Sequence, residues 1–158
     1  LRLTGTEVEA LSPYDGEMPD PIVYERPDQI ASCTASAVER CLQRGFGLDD
    51  IAIISMRGRE RSAVLGGDRL ESWTLRRFTG NYDEGGGAIW TEGQLLIDTV
   101  RRFKGQAAGA IVLTECDLVQ LDPISRRLLF VGLTRARMHL EWVISASTSA
   151  LLVNALRE

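Results

Sequence analysis

The spacing of apolar side chains predicts alternating helices and buried strands from residue 28 onward. Apolar or small residues recur at helical spacing between Asp28, a candidate N-cap, and the glycines Gly45 and Gly47. The continuous apolar, β-branched run Ile51–Ser55 predicts a strand that is buried on both faces, as in parallel sheets. Two further buried strands are predicted over residues 95–100 and 110–115, and a final strand over residues 140–145.

The intervening segments are more polar. Residues 56–70 are rich in arginine and predict a short helix that ends at Gly66 and Gly67. Residues 73–75 and 89–91 predict short strands on either side of a glycine-rich turn at residues 80–87. Pro123 favours the first turn of a helix that we expect over residues 125–138. This order of elements predicts an α/β fold, a mainly parallel sheet flanked by helices.

The N-terminal segment differs from the rest of the chain. Residues 1–27 contain Pro13, Pro19, Pro21 and Pro27, so we expect irregular structure with room for one short strand at residues 22–24. A length of 158 residues with 44% hydrophobic content suits a single domain, which we place at residues 28–158. Because the chain begins at Leu1 rather than at methionine, we expect a fragment of a longer protein.

The charge balance limits the classes of partner. A net charge of −4 argues against nucleic-acid binding through bulk charge and leaves two local basic clusters. These clusters are Arg101, Arg102 and Lys104, and Arg126, Arg127, Arg135 and Arg137. The chain has no apolar run of about 18 residues and no signal-peptide pattern, so we expect no membrane contact. Three scattered cysteines fit neither a disulfide framework nor a zinc site, which favours a reduced, cytoplasmic protein without a metal.

Residues 126–137 form the most specific segment of the chain. They read Arg-Arg-Leu-Leu-Phe-Val-Gly-Leu-Thr-Arg-Ala-Arg, and one interpretation is an amphipathic helix with solvated arginines. The string also closely resembles motif VI of superfamily 1 helicases of the UvrD/PcrA/Rep kind. Residues 98–106 and the apolar strand after them resemble motif V, which reads Thr-Val-His-x-x-Lys-Gly-x-Glu in that family. The resemblance covers about residues 28–145 and implies the C-terminal RecA-like (2A) domain, with a three-layer fold of the P-loop NTPase type.

The resemblance implies roles for individual residues in an ATP-dependent DNA helicase. Arg135 matches the arginine finger that reaches the γ-phosphate of ATP, where a permanent charge stabilises the transferred phosphoryl group. Lys104 and Gly105 match the turn of motif V that approaches the nucleotide. Thr99 and Arg101, with Arg102 beside them, match positions that contact single-stranded DNA. Arg101 stands where the family usually has histidine.

Half of an ATP site is missing from the sequence. No Gly-x-x-x-x-Gly-Lys-Ser/Thr loop occurs, and no apolar strand ends in the Asp-Glu pair that would hold Mg²⁺. The resemblance therefore implies that the N-terminal RecA-like domain of the same full-length chain supplies both, that single-stranded and duplex DNA are partners, and that this fragment alone is inactive. Ala107 replaces the motif V glutamate, which leaves open a non-catalytic RecA-like module that binds nucleic acid or protein.

The remaining candidate side chains have ordinary structural interpretations. We expect His139 to be structural and Trp142 to belong to the core, whereas the other two tryptophans could stack on bases. The arginines of residues 56–70 could face phosphate or solvent; they are Arg57, Arg59 and Arg61. No nucleophile–base pair or metal cluster is evident, so a stand-alone small-molecule enzyme is not favoured.

Overall fold

The computed structural model of the protein describes residues 20–157. The prediction for residues 1–19 lies outside this range. The described strands and helices follow in chain order: β1 (Ile22–Tyr24), α1 (Ile30–Gln43), β2 (Ile51–Ser55), β3 (Arg69–Leu70), β4 (Trp73–Tyr82), β5 (Ala88–Trp90), β6 (Leu95–Thr99), β7 (Ala108–Cys116), α2 (Pro123–Leu133), β8 (Ala136–Ser145) and α3 (Ala146–Arg157). The division of the chain at residue 28 stays a prediction.

The strands form one sheet with the order β1-β8-β7-β2-β6-β4-β3, and β5 pairs with β4. In this order, each strand from β1 through β4 runs parallel to its neighbours in that set, whereas β3 and β5 run antiparallel to β4. Helix α1 packs on one face, and α2 and α3 contribute to the core on the other. The predicted fold class, a mainly parallel sheet flanked by helices, is therefore confirmed.

Strand β2 shows why the sheet must be covered on both sides. All five of its residues are buried, and successive side chains point to opposite faces. Ile51 and Ile53 belong to the core beneath α1. Ala52 and Ile54 belong to the second core, which includes Leu129 of α2. The expectation that this apolar run is a strand buried on both faces is confirmed.

The predicted helix over residues 56–70 is wrong. This segment consists of turns followed by β3, and the carboxylate of Glu115 organises it. Glu115 is 1% exposed and accepts hydrogen bonds from the hydroxyls of Ser55 and Ser62 and from the Ala63 amide, the last at 2.7 Å. Arg57 lies 3.5 Å from the same carboxylate. These long-range contacts override the local preference for a helix, so the arginines do not form a helix face.

The helix predicted to run to residue 138 ends at Leu133 instead. Its start is as expected, because Pro123 occupies the first turn and the carboxylate of Asp122 accepts hydrogen bonds from the next two free amides. Residues 136–139 join β8 because they pair with β7, where Ala108 lies opposite Ala136 and Ala110 opposite His139. Pairing with β7, a nine-residue strand, satisfies the backbone groups of these residues in place of helical hydrogen bonds.

One smaller expectation also differs from the structure, and two features were not expected. Asp28 is not the N-cap of α1, because it lies in a short 3-10 turn, Pro27–Gln29, and pairs with Arg26 at 3.0 Å. Helix α3 and the full length of β4 were not predicted.

Within residues 20–157, no helix combines the length and apolar character that crossing a bilayer requires.

Candidate functional site

The segment that resembles motif V runs from the carboxyl ends of the parallel strands back to their amino ends. Thr99 ends β6 and lies opposite Ser55, the last residue of β2. Ala108 begins β7, and its amide donates a hydrogen bond to the carbonyl of Arg135 at 3.3 Å, just before β8. Since these strands are parallel, Thr99 lies on the side of the sheet where the strands end, here called the carboxyl edge. Ala108 lies on the opposite side, where the strands begin, here called the amino edge. Residues 100–107 therefore connect the two edges.

Backbone hydrogen bonds shape this crossing segment into a compact turn. The Phe103 amide donates to the Thr99 carbonyl, and the Gln106 amide donates to the Phe103 carbonyl, both at 3.0 Å. Phe103 is buried at 2% exposure, whereas Lys104 and Gly105 are exposed. Gly105 has φ +86°, a left-handed conformation that side chains disfavour. The turn thus anchors its aromatic ring inside and presents its basic residue outside.

Arg135 lies against this turn from the other side. It follows the end of α2, and its Nε donates to the Val131 carbonyl at 3.1 Å while Nη2 donates to Thr134 Oγ1 at 3.1 Å. Nη1 donates to the carbonyl of Gln106 at 3.5 Å. Free carbonyls at a helix C-terminus attract a cation, which helps to hold the guanidinium there. The structure therefore brings Arg135 into contact with the turn that holds Lys104 and Gly105.

Gln106 extends this contact toward the carboxyl edge. Its Nε2 donates to the carbonyl of Arg102 at 3.4 Å, while its own carbonyl accepts from Arg135. The Arg102 amide in turn donates to Thr99 Oγ1 at 3.3 Å. Arg135, Gln106, Arg102 and Thr99 are thus joined by consecutive hydrogen bonds.

A buried carboxylate supports the carboxyl-edge residues. Asp98 is 3% exposed, and its Oδ1 accepts a hydrogen bond from the Thr99 amide at 2.8 Å. The same oxygen lies 3.3 Å from Nε of Arg102. Burial raises the pKa of Asp98, opposed by the Thr99 amide and the Arg102 charge. Its Oδ2 is buried without a hydrogen-bond partner, so the ionised carboxylate is only partly compensated.

The basic residues of the turn fall into two groups. The guanidinium carbon of Arg102 lies 3.5 Å from the centroid of the Phe78 ring, so this side chain, 36% exposed, packs over Phe78 and beside Asp98 at the surface. Arg101 and Lys104 are exposed, and within residues 20–157 neither forms an ion pair. Arg101 and Lys104 are therefore available to a ligand, whereas Arg102 is largely committed.

Sequence reasoning did not single out Asp98, Gln106 or Phe78. Asp98 carried a signal, because a lone carboxylate inside an otherwise apolar strand requires partners when it is buried. The parts played by Gln106 and Phe78 depend on long-range contacts that no local pattern reveals.

The two structural expectations for other side chains are confirmed. His139 Nε2 lies 2.8 Å from Glu141 Oε1, and its ring stacks on Phe46 with centroids 5.9 Å apart. Trp142 is 3% exposed, and its Nε1 donates to the sulfur of Cys116 at 3.0 Å. In the part of the chain that the structure describes, no group of three or more His, Cys, Asp or Glu side chains could hold a metal ion.

Comparison with known proteins relates both motif-like segments to one family and the fold to a solved structure. Residues 94–143 match the family model of the UvrD-like helicase C-terminal domain, a range that includes both motif-like segments. The crystal structure of the C-terminal domain of a possible DNA helicase from Lactobacillus plantarum WCFS1 has the same fold, with a TM-score of 0.54 and 16% sequence identity over 84% of this chain and 76% of that chain. No curated protein matches. The predicted resemblance to UvrD-like helicase C-terminal domains is confirmed over residues 94–143.

Proposed function

We propose that this chain is the C-terminal motor domain of an ATP-dependent, UvrD-like superfamily 1 DNA helicase. The observation that carries the proposal is the connected turn between the two edges of the sheet. Arg135 and Gln106 meet near the amino edge, and Thr99 ends β6 at the carboxyl edge. Consecutive hydrogen bonds join these groups. A movement on the nucleotide side would therefore be transmitted to the residues that we assign to DNA.

On the nucleotide side, the available groups suit the terminal phosphate of ATP. Lys104 and Gly105 are exposed, Arg135 is half-buried, and all three lie on or against one turn. Arg135 donates to carbonyl groups of its own domain. A phosphate oxygen is a stronger, charged acceptor and would replace them as the partner of the guanidinium. In this role Arg135 stabilises charge on the transferred phosphoryl group, an effect worth about 10³–10⁵ in rate.

The other half of the ATP site belongs, in this proposal, to an N-terminal RecA-like domain of the full-length protein. That domain supplies the P-loop and the carboxylates that hold Mg²⁺, since the sequence contains no P-loop. ATP hydrolysis supplies the free energy for movement along DNA. The present chain contributes the positioned guanidinium and the turn, and we expect a cytoplasmic location.

On the nucleic-acid side, Thr99 and Arg101 are assigned to the backbone of single-stranded DNA. Arg101 is exposed and carries a permanent positive charge, which suits a phosphate contact. Arg102 has a different part in the same surface, because its packing between Asp98 and Phe78 orients the turn. A domain with net negative charge can still bind DNA through such a local basic surface.

Ala107 favours a second candidate function. It stands, exposed, where the family places a glutamate that contacts the nucleotide sugar. If the loss of that carboxylate has removed nucleotide binding, the domain serves as a non-catalytic module for nucleic acid or protein. The two functions differ in one property, the hydrolysis of ATP by the full-length protein.

The test is therefore made on the natural full-length protein. ATP hydrolysis is measured with and without single-stranded DNA, and strand separation is measured on a duplex with a single-stranded tail. The motor proposal predicts hydrolysis that DNA stimulates, together with ATP-dependent strand separation. DNA binding without any hydrolysis would support the non-catalytic module instead. The 158-residue chain alone should hydrolyse no ATP, because it lacks the P-loop.

A further inference from the structure

We propose that the β4–β5 hairpin binds unpaired bases of single-stranded nucleic acid by stacking. The binding surface consists of Phe78, Tyr82 and Trp90, here called the aromatic cluster. This inference rests on the nucleic-acid side of the proposed function and extends that surface beyond motif V. The inference assigns a binding function to the hairpin, which lies outside both motif-like segments.

The three rings form one continuous array on the hairpin. Phe78 of β4 lies opposite Trp90 of β5, with ring centroids 6.0 Å apart and planes at 61°. Tyr82 lies farther along β4, and its centroid is 5.3 Å from that of Phe78. Tyr82 is 60% exposed, and Phe78 and Trp90 are half-buried. A contiguous aromatic patch at the surface, bordered by polar side chains, is a feature that marks interaction sites.

Two arginines lie over the rings of the cluster. The guanidinium carbon of Arg76 is 6.0 Å from the Trp90 ring centroid, and that of Arg102 is 3.5 Å from the Phe78 ring centroid. Arg76 is exposed and, within the described residues, forms no ion pair. Aromatic faces with neighbouring cations are the combination by which proteins hold bases and phosphates of single strands.

The acidic residues of the hairpin lie at its tip. Asp83 turns its carboxylate inward, where it accepts hydrogen bonds from the amides of Gly85 at 2.9 Å and Gly87 at 2.7 Å. Glu84 is exposed at the same tip. A nucleic-acid strand is therefore expected to pass over Arg76 and the rings rather than over the turn.

The aromatic cluster is continuous with the motif V surface. Arg102 stacks on Phe78 and pairs with Asp98, the residue directly before Thr99. Arg102 is therefore the side chain that links the aromatic cluster to the motif V segment, in which the exposed Arg101 is its neighbour in sequence. The exposed positive charge of Arg76 beside the rings suits the phosphate backbone of a single strand.

The hairpin provides its own matched control. Ile89 precedes Trp90 in β5 and is 41% exposed. Successive strand residues point to opposite faces, so Ile89 is an exposed apolar side chain on the face away from the rings. Replacing it removes a comparable apolar group from the same strand without touching the proposed binding surface.

The experiment uses the full-length protein without nucleotide and a fluorescein-labelled oligonucleotide of 20 thymidines. Fluorescence anisotropy should show about fivefold to hundredfold weaker binding for Trp90→Leu and for Tyr82→Ala, and a change below about twofold for Ile89→Ala. The Tyr82→Ala variant is expected to remain folded, because this ring is mostly exposed. Its loss of affinity would therefore report on binding and not on misfolding. An oligonucleotide with 5-iododeoxyuridine should, on irradiation, form crosslinks that map to Tyr82 or Trp90.

The possible failures are distinguishable. If Arg101→Ala weakens binding while both ring variants bind like the wild type, the hairpin inference is overturned and the proposed function stands. If the wild-type protein binds no oligonucleotide, both are overturned. If the ring variants lose self-association in sedimentation experiments but keep full DNA affinity, the rings form a contact between copies of the chain, which also overturns the inference.

Discussion

Nη1 of Arg135 donates a hydrogen bond to the backbone carbonyl of Gln106 at 3.5 Å, which joins the two segments that resemble helicase motifs. Gln106 also donates to the carbonyl of Arg102, whose guanidinium pairs with Asp98. Any ligand that draws Arg135 away from Gln106 therefore disturbs the turn that leads to Thr99. In the proposed function, this contact links the side that we assign to nucleotide with the side that we assign to nucleic acid.

Glu115 should be among the most sensitive residues of the fold. It is nearly fully buried, and Ser55, Ser62 and the Ala63 amide all donate to its carboxylate. Glu115→Ala leaves these donors and the Arg57 charge without their acceptor, so we expect a loss of about 3–5 kcal/mol in the free energy of unfolding. Urea denaturation followed by circular dichroism measures it.

Asp117→Ala is the control for the Glu115 variant. Asp117 also pairs with Arg57, at 3.1 Å, but its side chain is 46% exposed. An exposed pair contributes little, and this variant should lose at most about 1 kcal/mol. Equal losses for the two variants would show that the buried carboxylate does not organise residues 56–65.

Gly93 is required where the chain enters β6. A Cβ at this position would lie 2.3 Å from the carbonyl carbon of Leu75 and 2.4 Å from the nitrogen of Arg76, both backbone atoms of β4. Gly93→Ala must therefore push β4 away, at a cost of about 1–3 kcal/mol or more. Gly66→Ala is the control, since its Cβ would meet nothing within 4 Å. Similar thermal midpoints for the two variants would contradict the close approach.

Asp98 should make stability depend on pH in a defined direction. Burial raises its native pKa above the ordinary value of 3.8, so between these two values the folded chain binds more protons than the unfolded chain. Stability contributed by Asp98 is then fully present below the unfolded pKa and is lost as pH rises through the native pKa. Asp98→Asn removes this dependence.

Urea midpoints of the wild type and Asp98→Asn, measured from pH 4 to pH 7, isolate the effect. Every other carboxylate is common to both proteins, so the difference between them reports Asp98 alone. The wild type should lose stability relative to the variant as pH rises. A difference that is flat, or of the opposite sign, would mean that the pairing with Arg102 outweighs burial.

The sequence predicted what depends on local pattern and could not predict what depends on distant contacts. The apolar run Ile51–Ser55 was sufficient to identify β2, and Pro123 was sufficient to identify the start of α2. The turns of residues 56–68 were missed because Glu115 holds them from another strand. The end of α2 was missed because residues 136–139 pair with β7 instead.

The candidate site divides in the same way. The motif-like strings identified Arg135, Lys104, Gly105, Thr99 and Arg101, whose roles stay predictions. No string identified the contact between Arg135 and Gln106, because it joins residues 29 positions apart. The same is true of the packing of Arg102 on Phe78, which depends on the hairpin. The motifs identify candidate site residues, whereas the fold determines which of them are in contact.

Single-turnover ATP hydrolysis by the natural full-length protein, saturated with single-stranded DNA, tests the role of Arg135 most directly. Arg135→Ala should lower the rate by about 10³–10⁵ in protein that still binds single-stranded DNA, because the guanidinium stabilises charge on the transferred phosphoryl group. Arg137→Ala is the matched control, an exposed arginine two positions along in β8, and should hydrolyse ATP at the wild-type rate. Hydrolysis by Arg135→Ala within tenfold of the wild type would contradict the assignment.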